Sequence, residues 1–122
     1  MSKSVLVELE SILDELQAQT PEIVASIVVR YDGLAIASNV PESIDKALLS
    51  ALTAAAIGIG RRVMDQLDQG SMKKILIEGD KGQLLLYGMK RAVLALLLRK
   101  NANLGLIFLL IEKTVEKLSK LI

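Results

Sequence analysis

The sequence predicts an α+β fold on a five-stranded antiparallel sheet, in the order α-β-β-α-β-β-β-α. Three observations carry that reading: apolar residues at helical spacing near both ends of the chain, a long uncharged helical stretch in its middle, and five short apolar runs separated mostly by turns. Short connections make neighbouring strands antiparallel, so only the middle helix is a crossover. At 122 residues the chain suits one domain spanning 1–122, and a 52% hydrophobic content lets it build a core.

Val5, Leu9, Ile12 and Leu16 recur at helical spacing, with Glu8, Ser11, Asp14 and Glu15 on the other side, which predicts a surface helix closed before Pro21. Ile23 to Arg30 is almost wholly apolar and β-branched as far as Val29, the texture of a central strand covered on both faces. Asp32-Gly33 then predicts a hairpin to Leu34–Ser38 through a turn with two positive-φ residues. Ser43 is a candidate cap for a helix running to about Asp68. Beyond Gly70 three strands are expected, Lys73–Glu78, Gln83–Tyr87 and Ala92–Leu98, and Asn101 or Asn103 can cap a last helix with Leu104, Phe108, Ile111, Val115, Leu118 and Ile122 on its buried stripe.

The residues that are missing exclude much chemistry. Without Cys or His there are no disulfides, thiolate metal sites, cysteine nucleophiles or imidazole bases, and neither cofactor nor metal is expected. A net charge of +1 and 2% aromatic residues give nucleic acid neither a strong field nor a stacking platform. The lack of Cys fits the cytosol, Met1 to Ser4 lead into an amphipathic pattern unlike a secretory leader, and no uninterrupted apolar run approaches the roughly 18 residues of a membrane span, so no direct membrane insertion is expected.

Candidate motifs for chemistry dissolve on inspection. Gly58-Ile59-Gly60 opens like a dinucleotide fingerprint, but Val63 stands where the third glycine belongs and no strand precedes it. Glu78 and Asp80 flank a hairpin turn, where solvated carboxylates are ordinary, and Ser71 beside Lys73 is a chance pairing. The informative segment is the middle helix, which carries no charge from Ala47 to Gly60 and so predicts cover on all sides. Leu48, Leu52, Ile59 and Val63, with Leu49 and Leu67, form the larger face, which suits the sheet; Ser50, Ala54, Ile57 and Arg61 form a smaller face for a partner. Gly58 and Gly60 fit a close approach of another backbone.

Tyr31-Asp32-Gly33-Leu34-Ala35-Ile36-Ala37-Ser38, the Ala-rich helix after Ser43, Ile77-Glu78-Gly79 with Gly82, Ala92-Val93-Leu94-Ala95 and Ala102-Asn103-Leu104-Gly105 together resemble the roadblock / dynein light chain family, in particular its stand-alone bacterial and archaeal members. The resemblance implies a profilin-like sheet with helices on both faces, the first and last on one and the middle helix on the other. It also implies a homodimer whose middle helices pack together and whose third strands pair, placing Ser50, Ala54, Ile57, Lys74 and Leu76 at the interface. It implies a Ras-like small GTPase as partner, with no nucleotide site or catalytic residue in this chain; Arg61, Arg62 and Asp65, beginning where the uncharged helix ends, are the candidate polar contacts. Two other readings remain at this point, a small-ligand sensor on a similar scaffold and an enzyme using only carboxylates and lysines. Complex formation with a GTPase, tight metabolite binding and turnover separate the three.

Overall fold

Two strands apolar at nearly every position become the centre of the sheet. The computed structural model describes residues 3–122; Met1 and Ser2, part of the reading of the N-terminus as no leader, lie outside the described residues. The elements are α1 (Lys3–Gln19), β1 (Ile23–Arg30), β2 (Ala35–Asn39), α2 (Lys46–Gln66), β3 (Lys74–Glu78), β4 (Gly82–Gly88), β5 (Ala92–Arg99) and α3 (Leu104–Ser119). The five strands form one antiparallel sheet in the order β2-β1-β5-β4-β3. From Ala25 to Val29 and from Ala92 to Leu96 every residue is buried, because both faces of the central strands are covered.

The two covers differ in width. Leu9, Leu13 and Leu16 of α1 join Ile107, Ile111 and Leu118 of α3 over Val28, Leu85, Leu94 and Leu96. On the other face α2 works alone, with Leu49 and Ile57 over Ile27, Val29, Leu86, Val93 and Ala95. By length and composition α2 is apolar enough to cross a membrane, with a mean hydropathy of 1.3 over 18 residues. In this fold one stripe of it is committed to the sheet.

Three local expectations are corrected, and the choice between Asn101 and Asn103 is settled. The first hairpin turns through a three-residue loop: the Gly33 N–H donates to the Arg30 carbonyl (2.9 Å), the Arg30 N–H donates to the Leu34 carbonyl (2.8 Å), and within the loop only Gly33 has a positive φ, of 95°. A loop of this kind places the left-handed conformation on glycine alone and spares Asp32, whose carboxylate accepts from the Leu34 N–H (3.2 Å). Asp45 rather than Ser43 caps α2, accepting from the Leu48 N–H at 3.0 Å, since Ser43 lies inside a turn closed by Ile44 N–H and the Pro41 carbonyl. Asn103 caps α3 through the Leu106 N–H (3.2 Å), while Asn101 takes a φ of 60° in the preceding turn. The buried stripe of α3 is Ile107, Ile111, Thr114 and Leu118, so Leu104, Phe108, Val115 and Ile122 are half-buried on its flank and Leu106 and Leu109 are exposed.

Thr53 is fully buried on the sheet side of α2, and its hydroxyl has no hydrogen-bond partner. A buried unpaired hydroxyl costs about 1–3 kcal/mol. Thr53→Val should therefore raise stability by about 1 kcal/mol, read as a higher denaturation midpoint at unchanged slope.

Candidate functional site

Leu49 packs on the sheet as expected, but the rest of the two faces of α2 is the reverse of the sequence expectation. Leu49, Ser50, Thr53 and Ile57 are buried against the chain's own sheet, whereas Leu48 (55%), Leu52 (54%), Ile59 (67%) and Val63 (43%) stay exposed. The small polar residues go inward because their size lets the helix sit close to the strands. Ser50 satisfies its hydroxyl locally, donating to the Lys46 carbonyl at 2.9 Å. Gly60 completes the approach, since a Cβ there would lie 2.5 Å from Ile75 Cδ1 of β3; Gly58, expected at a close contact as well, faces open space. Ser50 and Ile57 are thus core residues, and of the small face only Ala54 is half-exposed. The stripe Ser50-Thr53-Ile57-Gly60 was the signal for this packing: small side chains at a helical repeat mark where a helix comes nearest to its support.

What remains outside is an apolar surface with two parts. One is the row of large side chains on α2. The other is a cleft of about 670 Å³ between α2 and the edge strand β3, lined by Ala56, Ile59, Val63, Met72, Ile75 and Ile77 among others. Lys74 and Leu76, which the family resemblance places at the interface, lie on the opposite side of β3 and are exposed; the Lys74 ammonium sits 4.4 Å from the centre of the Phe108 ring.

Arg61, Arg62 and Asp65 are all exposed along one flank of α2. Arg61 is held: its guanidinium carbon lies 4.2 Å from the centre of the Tyr31 ring, and the Tyr31 hydroxyl donates to the Met89 carbonyl. One tyrosine in the β1–β2 loop thereby ties α2 to the β4–β5 loop, a role its sequence position did not disclose. Arg30 pairs with Asp32 at 2.8 Å in the same loop. Among the described residues no group of three or more His, Cys, Asp or Glu side chains could hold a metal.

A sheet covered by two helices on one face and by a single helix on the other, with that helix apolar on its outer side, defines a class of small α+β domains that keep one apolar helix face exposed. The sequence profile of the Roadblock/LC7 domain matches residues 9–98, and the uncharacterized protein MJ1340 of Methanocaldococcus jannaschii is 34% identical over 110 residues, which cover 90% of this chain and 96% of that protein. The chain belongs to the Roadblock/LC7 family. Its backbone is similar to that of Myxococcus xanthus MglB, with a TM-score of 0.88 at 23% identity, over 98% of this chain and 91% of that one. Acanthamoeba castellanii profilin IB shares the fold at a TM-score of 0.64 and 11% identity, over 92% of this chain and 98% of that one.

Burial raises the Tyr31 pKa above the ordinary 10.0, against a smaller opposing pull from Arg61. The folded state therefore favours the neutral phenol, so stability from this group is intact below pH 10 and falls as the pH rises beyond it. An ultraviolet titration should show one phenol ionising above 10.0. Tyr31→Phe should remove both that transition and its share of the alkaline loss, at a cost of about 1 kcal/mol at neutral pH.

Proposed function

We propose that this chain is a homodimeric, non-catalytic module of the cytoplasm that binds a Ras-like small GTPase, modulating its GTP hydrolysis or acting as its scaffold. The observation that carries the proposal is the outward row Leu48, Leu52, Ile59 and Val63, a contiguous apolar surface that a lone protein leaves wet at a cost. A second copy covers it best: packed about a two-fold axis, each α2 lays its row against its mate, and side chains of one copy enter the α2–β3 cleft of the other. Pairing of the two β3 edges continues the sheet, with Lys74 and Leu76 flanking the junction, while Ser50 and Ile57 stay in each core and Ala54 borders the seam. Membership of the Roadblock/LC7 family supports the GTPase as partner, since the family resemblance implies such partners. Arg61, Arg62 and Asp65 lie at the rim of the helix pair, where they can position the catalytic groups of the GTPase without touching its nucleotide.

Wild type should sediment as a dimer at micromolar concentration, and Leu52→Glu with Ile59→Glu should shift it to monomer, because unpaired charge in a dry seam costs about several kcal/mol. Sedimentation of the wild type as a monomer defeats the dimer. Arg61→Glu with Arg62→Glu should leave the dimer intact and weaken binding of a GTPase loaded with a GTP analogue by about tenfold or more; unchanged affinity moves the partner site off this flank. The α2–β3 cleft also gives the ligand-sensor reading a place to stand. A small molecule that stays in the cleft through purification, with no GTPase bound, would favour it.

A further inference from the structure

Charge is sorted along the sheet. The register places Arg30 beside Ala92, Gly88 beside Val93 and Lys74 beside Tyr87, so the ends of four strands form one row. The Gly88 N–H donates to the Lys73 carbonyl (2.7 Å), and the Tyr31–Met89 hydrogen bond joins the two hairpin loops that project from this row. Arg30, Arg61, Arg62, Lys73, Lys90 and Arg91 gather here, all exposed. Asp32 in the β1–β2 loop and Asp65 and Asp68 at the end of α2 accompany them; Lys74, also in the row, turns its ammonium to Phe108, and the eight other basic residues of the chain stand against eleven acidic ones. An overall charge of +1 thus conceals a cationic end and an acidic remainder.

We propose that this cationic end is a docking surface for a carboxylate-rich face of a partner protein, the small GTPase of the preceding reading, on which the inference rests. Lys90 and Arg91 are its outermost members, and Arg61, fixed on Tyr31, connects it to the flank of α2. A protein partner suits the surface better than an anionic bilayer. Asp32, paired with Arg30 at 2.8 Å, interrupts the cations in the β1–β2 loop, and a shaped protein face can pass over that point where a uniformly negative plane cannot. Antiparallel pairing of two β3 strands also turns the two cationic ends in opposite directions, so one flat membrane meets only one of them, whereas separate protein surfaces can reach both. Clustered charge of this kind acts chiefly on the association rate and is weakened by salt.

The test compares wild type with Lys90→Glu plus Arg91→Glu, and with Lys81→Glu plus Lys100→Glu at the opposite end as control, all verified as folded and of wild-type oligomeric state. Each is titrated with the Ras-like GTPases of the source organism, loaded with a non-hydrolysable GTP analogue, at about 50 and about 300 mM salt. Wild type and control should bind with an association rate that falls about fivefold or more with salt, and the Lys90/Arg91 variant should bind about tenfold more weakly at low salt with little salt dependence. Wild-type affinity and salt slope in that variant would overturn the cationic end while leaving the GTPase reading in place. Failure of wild type to bind any of these GTPases defeats that reading and this inference with it. Wild-type capture by phosphatidylglycerol vesicles, lost in the Lys90/Arg91 variant while GTPase binding is kept, would assign the surface to lipid and overturn the proposal.

Discussion

A sheet whose central strands are apolar on both sides must be covered twice. β1 and β5 impose that condition, since Ile27, Val29, Val93 and Ala95 need shelter from one side and Val28, Leu94 and Leu96 from the other. The described residues form three helices to meet it, and the division two against one sets the remaining architecture. α1 and α3 share the first face and fasten to each other through Lys117 and Glu15 (3.2 Å) at the surface. The second face receives α2 alone, which reaches β1, β4 and β5 but only touches β3 at Gly60 and Ile75.

A single helix over five strands must come close to be effective, and closeness selects small side chains. Ser50, Thr53 and Gly60 are the result, with Leu49 and Ile57 supplying the apolar contact. Leu48, Leu52, Ile59 and Val63 are then left exposed. Apolarity on the outer side of this helix is thus a product of the same packing that seats its inner side, and the exposed apolar surface and the core are specified together.

Much of the fold was legible because its signals are local. Element order, the central position of β1 and a cap at Asn101 or Asn103 follow from residue texture and turn chemistry, whereas the pairing of third strands that puts Lys74–Glu78 at an edge comes from the family resemblance. The faces of α2 were not legible from hydrophobicity, since both are apolar and size alone pointed the wrong way. The right criterion was steric: a stripe containing Ser50, Thr53 and Gly60 fits under a helix pressed onto strands. On α3, Ile111 and Leu118 are legible as buried, but Ile107 and Thr114 are not, as Leu104 to Ile111 is apolar throughout and leaves the phase of the stripe undetermined. Of the candidate polar site, the flank Arg61, Arg62 and Asp65 was visible as the point where charge returns to α2. Tyr31 was not, because its role depends on Met89, far away in sequence, reaching the same end of the sheet.

The pairing of β1 with β5 has a kinetic consequence. These strands, the most completely buried in the sheet, join residues roughly 60 to 75 positions apart, from Arg30 with Ala92 to Ile23 with Leu98. The local hairpins β1–β2, β3–β4 and β4–β5 can form first, yet none completes a core until the long intervening segment with α2 is looped out. Folding is therefore gated by a late, non-local zipping step, during which two strands rich in Ile, Val and Leu stand open. Newly made chains are at their most aggregation-prone in that interval, and helices that arrive early on either face shorten it.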